Sequence, residues 1–268
     1  MTTTTVKFHH LIALEIRKLW NSVGMKAMAA TILISTVVLS VFGFWIYTNQ
    51  ENLNSSPNTS GAKIEVTKLP EISNWFDSSS FTYLAAAMLL PFWLILFYNN
   101  DWKYRNIATS FILEPRRERL LLAKTVSAIS LTGVLFLLCA GLSAAWSWIL
   151  QASTDTNIDW SMPWNRIGVE AANWLVIVAM AIALSMLIQN SAITILVVLL
   201  QPAILGVIAG LSSDLTEALQ WISPQAMAPQ LDQTTVTDIG WKLAVGCLVW
   251  ILIPALLGIW RTLNREVN

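Results

Sequence analysis

Six apolar stretches divide the chain: Ala27 to Tyr47, Phe81 to Tyr98, Thr125 to Leu150, Ile167 to Ile188, Ile193 to Leu211 and Leu243 to Trp260. Each is long enough to cross a hydrocarbon core about 30 Å thick, which needs roughly 20 residues of helix. Helices are implied, because backbone polar groups inside a bilayer must be satisfied within the segment, and these runs are too long and too uniformly apolar for barrel strands. The composition agrees: 55% hydrophobic and 12% charged residues are too apolar a mix for an ordinary soluble domain of 268 residues. The expected fold class is therefore an all-α membrane protein with six transmembrane helices. It forms one domain over 1–268, with an N-terminal segment 1–26, a core 27–260 and a short tail 261–268.

The basic residues set the expected orientation. With a cytoplasmic N-terminus, 12 of the 16 Lys and Arg fall inside, leaving only Lys63, Lys68, Arg166 and Lys242 outside. That bias predicts cytoplasmic termini. Many of the 14 Trp residues stand near span ends, among them Trp45, Trp75, Trp102, Trp164, Trp241 and Trp260, where an amphipathic ring suits the interface. Residues 1–26 are too polar for the apolar region of a signal peptide, so the first span is expected to stay in the mature protein. Cys139 and Cys247 lie inside spans and read as small apolar residues rather than a disulfide framework.

The segments between spans differ in character. Thr48 to Ser80 is Ser/Asn-rich and reads as a flexible outside excursion. Spans four and five are joined only by Gln189 to Ala192, a tight hairpin on the cytoplasmic face. In the last outside segment, Ser212 to Gly240, an amphipathic Leu215 to Ile222 precedes Pro224 and Pro229. This suits either a re-entrant helical pair or a surface loop.

Ahead of the first span, Phe8, Leu11, Ile12, Ile16, Leu19 and Trp20 recur at helical spacing, predicting an amphipathic helix along the cytoplasmic surface. Glu15 falls on that apolar stripe, where a carboxylate is costly unless paired. It is either an edge residue reaching water or a partner-facing acid matched to a base. Between spans two and three, Asn99 to Lys124 mixes charges, aromatics and helix formers. Pro115 suits the first turn of a new helix, so two short helices breaking at Leu113 are expected. The segment is richer than a connector needs, and reads as a membrane-surface anchor or a docking surface for a soluble partner.

Polar groups within the spans are few. Glu170 and Asn173 share a face of span four, with Arg166 one turn before Glu170 as an i, i+4 partner. An intramembrane acid is either functional or a structural pair. Gln201 precedes Pro202 near the middle of span five, where the amide can satisfy the carbonyl that Pro frees or line a path. Pro91 and Pro254 predict kinks in spans two and six. Catalytic and metal motifs are absent from the sequence, and so is the phosphate loop G-x-x-x-x-G-K-[ST]. The expectation is a non-enzymatic chain with no catalytic, cofactor or metal residues, no nucleic-acid partner and membrane lipids around it.

The chain resembles the membrane-spanning permease subunits of ABC-2 type ATP-binding cassette transporters. The resemblance lies in Glu15-Ile16-Arg17-Lys18 before the first span and in the Asp101 to Lys124 block with its Glu-Pro-Arg-Arg turn. It extends to the Ile188-Gln189-Asn190-Ser191-Ala192 hairpin and to Ile222-Ser223-Pro224 before the last span. It implies a half-transporter of the bacterial plasma membrane, with an elbow helix, a coupling helix between spans two and three and re-entrant helices before span six. ATP and Mg would be bound by a separate ATPase present in two copies, alongside a second permease copy, identical or related. ATPase coupling would fall on Glu15, Lys18, Asp101, Arg105, Glu114, Arg116, Arg117, Gln189 and Asn190, and Glu170, Asn173 and Gln201 are candidates for the substrate path. The implied cargo is a lipophilic drug, a peptide or a lipid. A secondary transporter, or a non-transporting scaffold or immunity protein, are the alternatives; the former would show paired repeats and more buried charge.

Overall fold

A computed structural model describes residues 7–49, 72–77, 79–103, 116–153, 157–209, 211 and 236–264. Over these the chain is all-helical. The helices are α1 (Phe8–Asn21), α2 (Val23–Thr48), α3 (Ser79–Lys103), α4 (Arg117–Ser153), α5 (Trp164–Ile188), α6 (Ser191–Ala209), α7 (Val236–Cys247) and α8 (Ile253–Asn264), with a π-helical turn, Leu248–Leu252, joining the last two. Among the described residues, five helical stretches are long and apolar enough to cross a membrane: Val23–Thr48, Arg117–Ser153, Trp164–Ile188, Ser191–Ile208 and Trp241–Asn264. The stretch expected as the second span falls on the 25-residue helix α3, which has Pro91 inside it and is not one of these five.

The helices outrun the apolar stretches. The first turns of α4 read Arg117-Glu118-Arg119-Leu120-Leu121-Leu122-Ala123-Lys124, all good helix formers, so they join the third span in one 37-residue helix. This corrects the expected separate short helix after Pro115. The cytoplasmic positions 104–115, including Arg105 and Glu114, and the expected re-entrant stretch at 212–235 lie outside the described residues.

The π turn at Leu248–Leu252 has a local cause. Pro254 has no N–H to give and its ring crowds the carbonyl four residues back. Widening the preceding turn is one of the recognised ways a helix accommodates such a residue. Elsewhere in the helices, hydroxyls bond back one turn, as in Thr36 to Ile32 O at 2.7 Å, Ser127 to Ala123 O at 2.8 Å and Thr194 to Asn190 O at 2.8 Å. Such bonds let Ser and Thr sit among apolar residues without an orphaned donor.

The chain divides into two compact units. One comprises Met1–Ala29, Leu89–Gly133 and Trp164–Asn268. Its centre is α5, where Trp174, Val178 and every residue from Met180 to Met186 are buried. α8 approaches α5 closely at Gly258: a Cβ built there would lie 2.6 Å from Met186 Cβ and 2.8 Å from Leu187 N. Only glycine allows two helices so near.

The other unit comprises Ala30–Met88 and Val134–Pro163. Its polar end is a clasp between residues 72–77 and 157–163. Trp75 N donates to Asp159 O at 3.2 Å and Asp159 N to Ser73 O at 2.8 Å. Asn74 Nδ2 and Trp75 Nε1 both donate to Ser161 O at 3.1 Å. Ser143 and Ser147, one turn apart on α4, both donate to Trp75 O. The end of the expected flexible excursion is thus tightly held, with Trp75 and Phe76 buried.

Candidate functional site

The most unusual group of side chains in the first unit is a buried four-charge cluster. Glu15 on α1 receives a 2.6 Å hydrogen bond from Lys18 Nζ, one turn along the same helix. Lys124 near the start of α4 donates to Asp101 Oδ2 near the end of α3 at 2.6 Å. The pairs are cross-linked: Lys18 Nζ lies 3.6 Å from Asp101 Oδ2, and Lys124 Nζ lies 3.9 Å from Glu15 Oε2. Glu15, Asp101 and Lys124 are almost fully buried, and Lys18 is about one-third exposed. Lys124 also lies over the Phe97 and Tyr98 rings, 5.3 and 5.4 Å from their centroids.

The cluster explains why α1 is amphipathic in an unexpected way. The side chains it buries are Leu11, Glu15 and Leu19, at i, i+4 and i+8, while Trp20 is well exposed and Phe8 and Leu14 less so. Glu15 sits at the centre of the buried stripe facing two ammonium groups, and the Lys18 hydrogen bond to Oε1 with the attraction of Lys124 at 3.9 Å from Oε2 opposes its desolvation, although Oε2 accepts no hydrogen bond among the described residues. It is not an edge residue reaching water but a buried acid matched to bases of its own chain. Burial acts first on Asp101, pushing its carboxyl up, but Lys124 and Lys18 outweigh this and hold it below the usual carboxylate value. For Lys18, burial alone would lower the ammonium, yet Glu15 and Asp101 together hold it above its ordinary value.

A second knot ties the α5–α6 hairpin to the end of α8. Gln189 adopts φ 54°, the left-handed conformation in which a helix commonly ends. Asn190 then caps α6, its Oδ1 accepting from Ala192 N at 3.0 Å and Ile193 N at 3.3 Å. Gln189 Nε2 donates to Thr262 Oγ1 at 3.2 Å, and Arg261 to Leu187 O at 2.6 Å. Arg117 donates to Thr262 O and Leu263 O at 3.1 and 3.0 Å, placing a cation on the carbonyl end of α8. Three expected contact residues, Gln189, Asn190 and Arg117, therefore make bonds within this chain. Arg116 is exposed.

No family model, curated protein or solved structure matches the chain.

Of the intramembrane candidates, Glu170 does not pair with Arg166. Its Oε1 accepts from Trp174 Nε1 at 3.0 Å. Trp174 is buried one turn deeper, where its N–H needs an acceptor, while Arg166 is exposed at the start of α5. Asn173 is half-buried. Gln201 is buried with neither amide atom hydrogen-bonded among the described residues, so it does not satisfy the carbonyl freed by Pro202. Asn99, two residues before Asp101, is likewise buried with both amide atoms unpartnered among the described residues. Nothing in the local sequence marked it, because an Asn at a span end normally meets water.

Proposed function

We propose that this chain is the membrane-spanning, non-catalytic subunit of an ATP-driven exporter of the ABC-2 type, paired with a second permease copy and coupled to separate ATPase subunits. The observation that carries the reading is the four-charge cluster. Asp101 and Lys124 flank the 104–115 segment and are bonded to each other, and both interact with the amphipathic α1 through Lys18 and Glu15. Arg117, on the same flank, holds the end of α8. A push on that segment is thereby delivered to α1, α3, α4 and α8 together, as a coupling element requires. The Lys/Arg bias supports a cytoplasmic location for this end, in a bacterial plasma membrane with both termini inside.

On this reading Glu15, Lys18, Asp101 and Lys124 transmit the load, and the surface offered to the ATPase is Arg116 with the 104–115 segment. The test is Arg116→Glu, since Arg117→Glu would also break the bonds to α8. Association with the ATPase should weaken, because a reversed interfacial charge costs several kcal/mol. The measurement is co-purification of the ATPase encoded with this chain, at equal permease levels, together with ATP hydrolysis by the complex. Unchanged association and hydrolysis would remove this flank from the interface.

A further inference from the structure

The packing of α1 leaves one of its sides uncovered. The helix buries Leu11, Glu15 and Leu19. Continuing around it at about 100° per residue, Ile12 and Ile16 come next and are half-buried. Trp20 follows, 66% exposed, and then Arg17, exposed and about 160° from both Glu15 and Leu19. Ser22, in extended conformation, is the single residue between α1 and α2, whose length and apolar content suit a membrane span. The chain therefore turns off the span within one residue, which holds α1 at the level where α2 enters the bilayer. At that level Ile12, Ile16 and the Trp20 ring meet the acyl boundary, and Arg17, next around the helix, meets the headgroups.

The charge on this side has one sign. Glu15 is the only acid in residues 1–50, and it is turned away, toward Lys18 and Lys124. Arg17 and Lys26 are exposed on either side of the Ser22 break and make no ion pair among the described residues. From α3 and α4, the charges that reach α1 are Asp101 and Lys124, already paired with each other. Glu118 lies about 120° around α4 from Lys124 and lines the gap toward α5 and α8.

We infer that this side of α1 docks on an anionic phospholipid of the leaflet it lies on, with the headgroup drawn by Arg17 and Lys26 and Trp20 inserted beneath it. The apolar residues serve any lipid. A zwitterionic headgroup brings its own ammonium to the same two cations, so net negative charge is what they select. The seating of α1 depends on the span beside it and on no ATPase, so it holds whether or not the chain is an exporter.

The test places a bimane fluorophore at Ala13→Cys in the Cys-free whole chain, since Ala13 is exposed and lies between Trp20 and Arg17 around the helix. The protein is reconstituted in phosphatidylcholine nanodiscs holding a small, equal fraction of phosphatidylglycerol or phosphatidylcholine spin-labelled near the glycerol end of an acyl chain. Quenching should show about a tenfold preference for phosphatidylglycerol, reduced about three- to fivefold by Arg17→Gln and kept by Arg17→Lys. Raised salt should weaken it. Trp20→Ala should lower quenching by both probes and leave their ratio unchanged. Arg17 makes no hydrogen bond or ion pair among the described residues, so its replacement leaves the packing of α1 intact. No preference, a preference indifferent to Arg17→Gln, or one no greater than at Trp148→Cys, exposed toward the other end of α4, overturns the inference in favour of unselective lipid contact. Weak quenching by both probes, with copy-to-copy cross-linking through Ala13→Cys, overturns it in favour of a second copy on this side of α1.

Discussion

Replacing Lys124 by Met tests the cluster most severely. Among the described residues, Lys124 is the one nearly fully buried cation facing two nearly fully buried carboxylates, at 2.6 Å from Asp101 and 3.9 Å from Glu15. Met keeps most of the packing against Phe97 and Tyr98, so the loss is chiefly electrostatic. Lys18, already about one-third exposed, would be left to balance both acids. Stripping one partner from a buried pair costs about 3–5 kcal/mol, and at about 2–4 °C per kcal/mol this is a fall in Tm of roughly 6–20 °C. Lys18→Met should cost less, about 1 kcal/mol, since an exposed ammonium is screened. Asp101→Asn with Lys124→Met should recover part of the loss, because the orphaned charge is then gone. Thermal unfolding in detergent, followed by the loss of monodisperse protein on size exclusion, measures all three against wild type. Lys124→Met within 1 °C of wild type, or no better tolerated when combined with Asp101→Asn, would refute the cluster as a buried ion network. The pH profile gives a second reading. Asp101 is held below 3.8, so its contribution is present above that value and lost as pH falls through the lowered value. Lys18 is held above 10.5, so its contribution is present below that value and lost as pH rises through the raised one. The wild type should therefore show a stability plateau from about pH 4 to 10, and Asp101→Asn should remove the cluster's part of the acid limb.

Gly258→Leu should destabilise by about 3 kcal/mol or more, since its Cβ alone would overlap Met186 and the Leu187 amide; the same unfolding assay reads it. Asn190→Ala should cost about 1 kcal/mol by removing the α6 cap, whereas Asn190→Asp should be nearly neutral. Glu170→Gln keeps an acceptor for the Trp174 indole and should change stability by less than about 0.5 kcal/mol, while Glu170→Leu removes that acceptor and should cost about 1 kcal/mol. Single cysteines in a Cys-free background should be modified by an impermeant reagent in intact cells at position 60 and not at 112; the reverse would invert the orientation drawn from the Lys/Arg bias.

Hydropathy located the long helices because apolar length is a local property. It misplaced their ends for the same reason: Arg117 to Lys124 is polar yet strongly helix-forming, and the helix continues where the hydropathy stops. Glu15 was legible as a break in a pattern, but its second cation is Lys124, more than a hundred residues away. No spacing rule reaches that far. The clasp of Asn74 and Trp75 on Ser161 escaped for the same reason, being made of bonds across 86 and 87 positions. The Arg166–Glu170 spacing was real, but a more deeply buried donor four residues the other way, Trp174, took the carboxylate.

The π turn at Leu248–Leu252 also has a bearing on how this helix can change by insertion or deletion. A π turn holds one more residue than the α-turn it replaces, so α7 and α8 are out of phase by about 100° relative to one uninterrupted α-helix. Deleting a single residue from Leu248–Leu252 would restore α-helical phase and swing the α7 side chains about a quarter turn around the axis, while α8, fixed to α5 at Gly258 and to the Gln189 turn at Thr262, stays put. One codon would thus re-aim the Val236–Cys247 half of the helix without altering any amino acid in it.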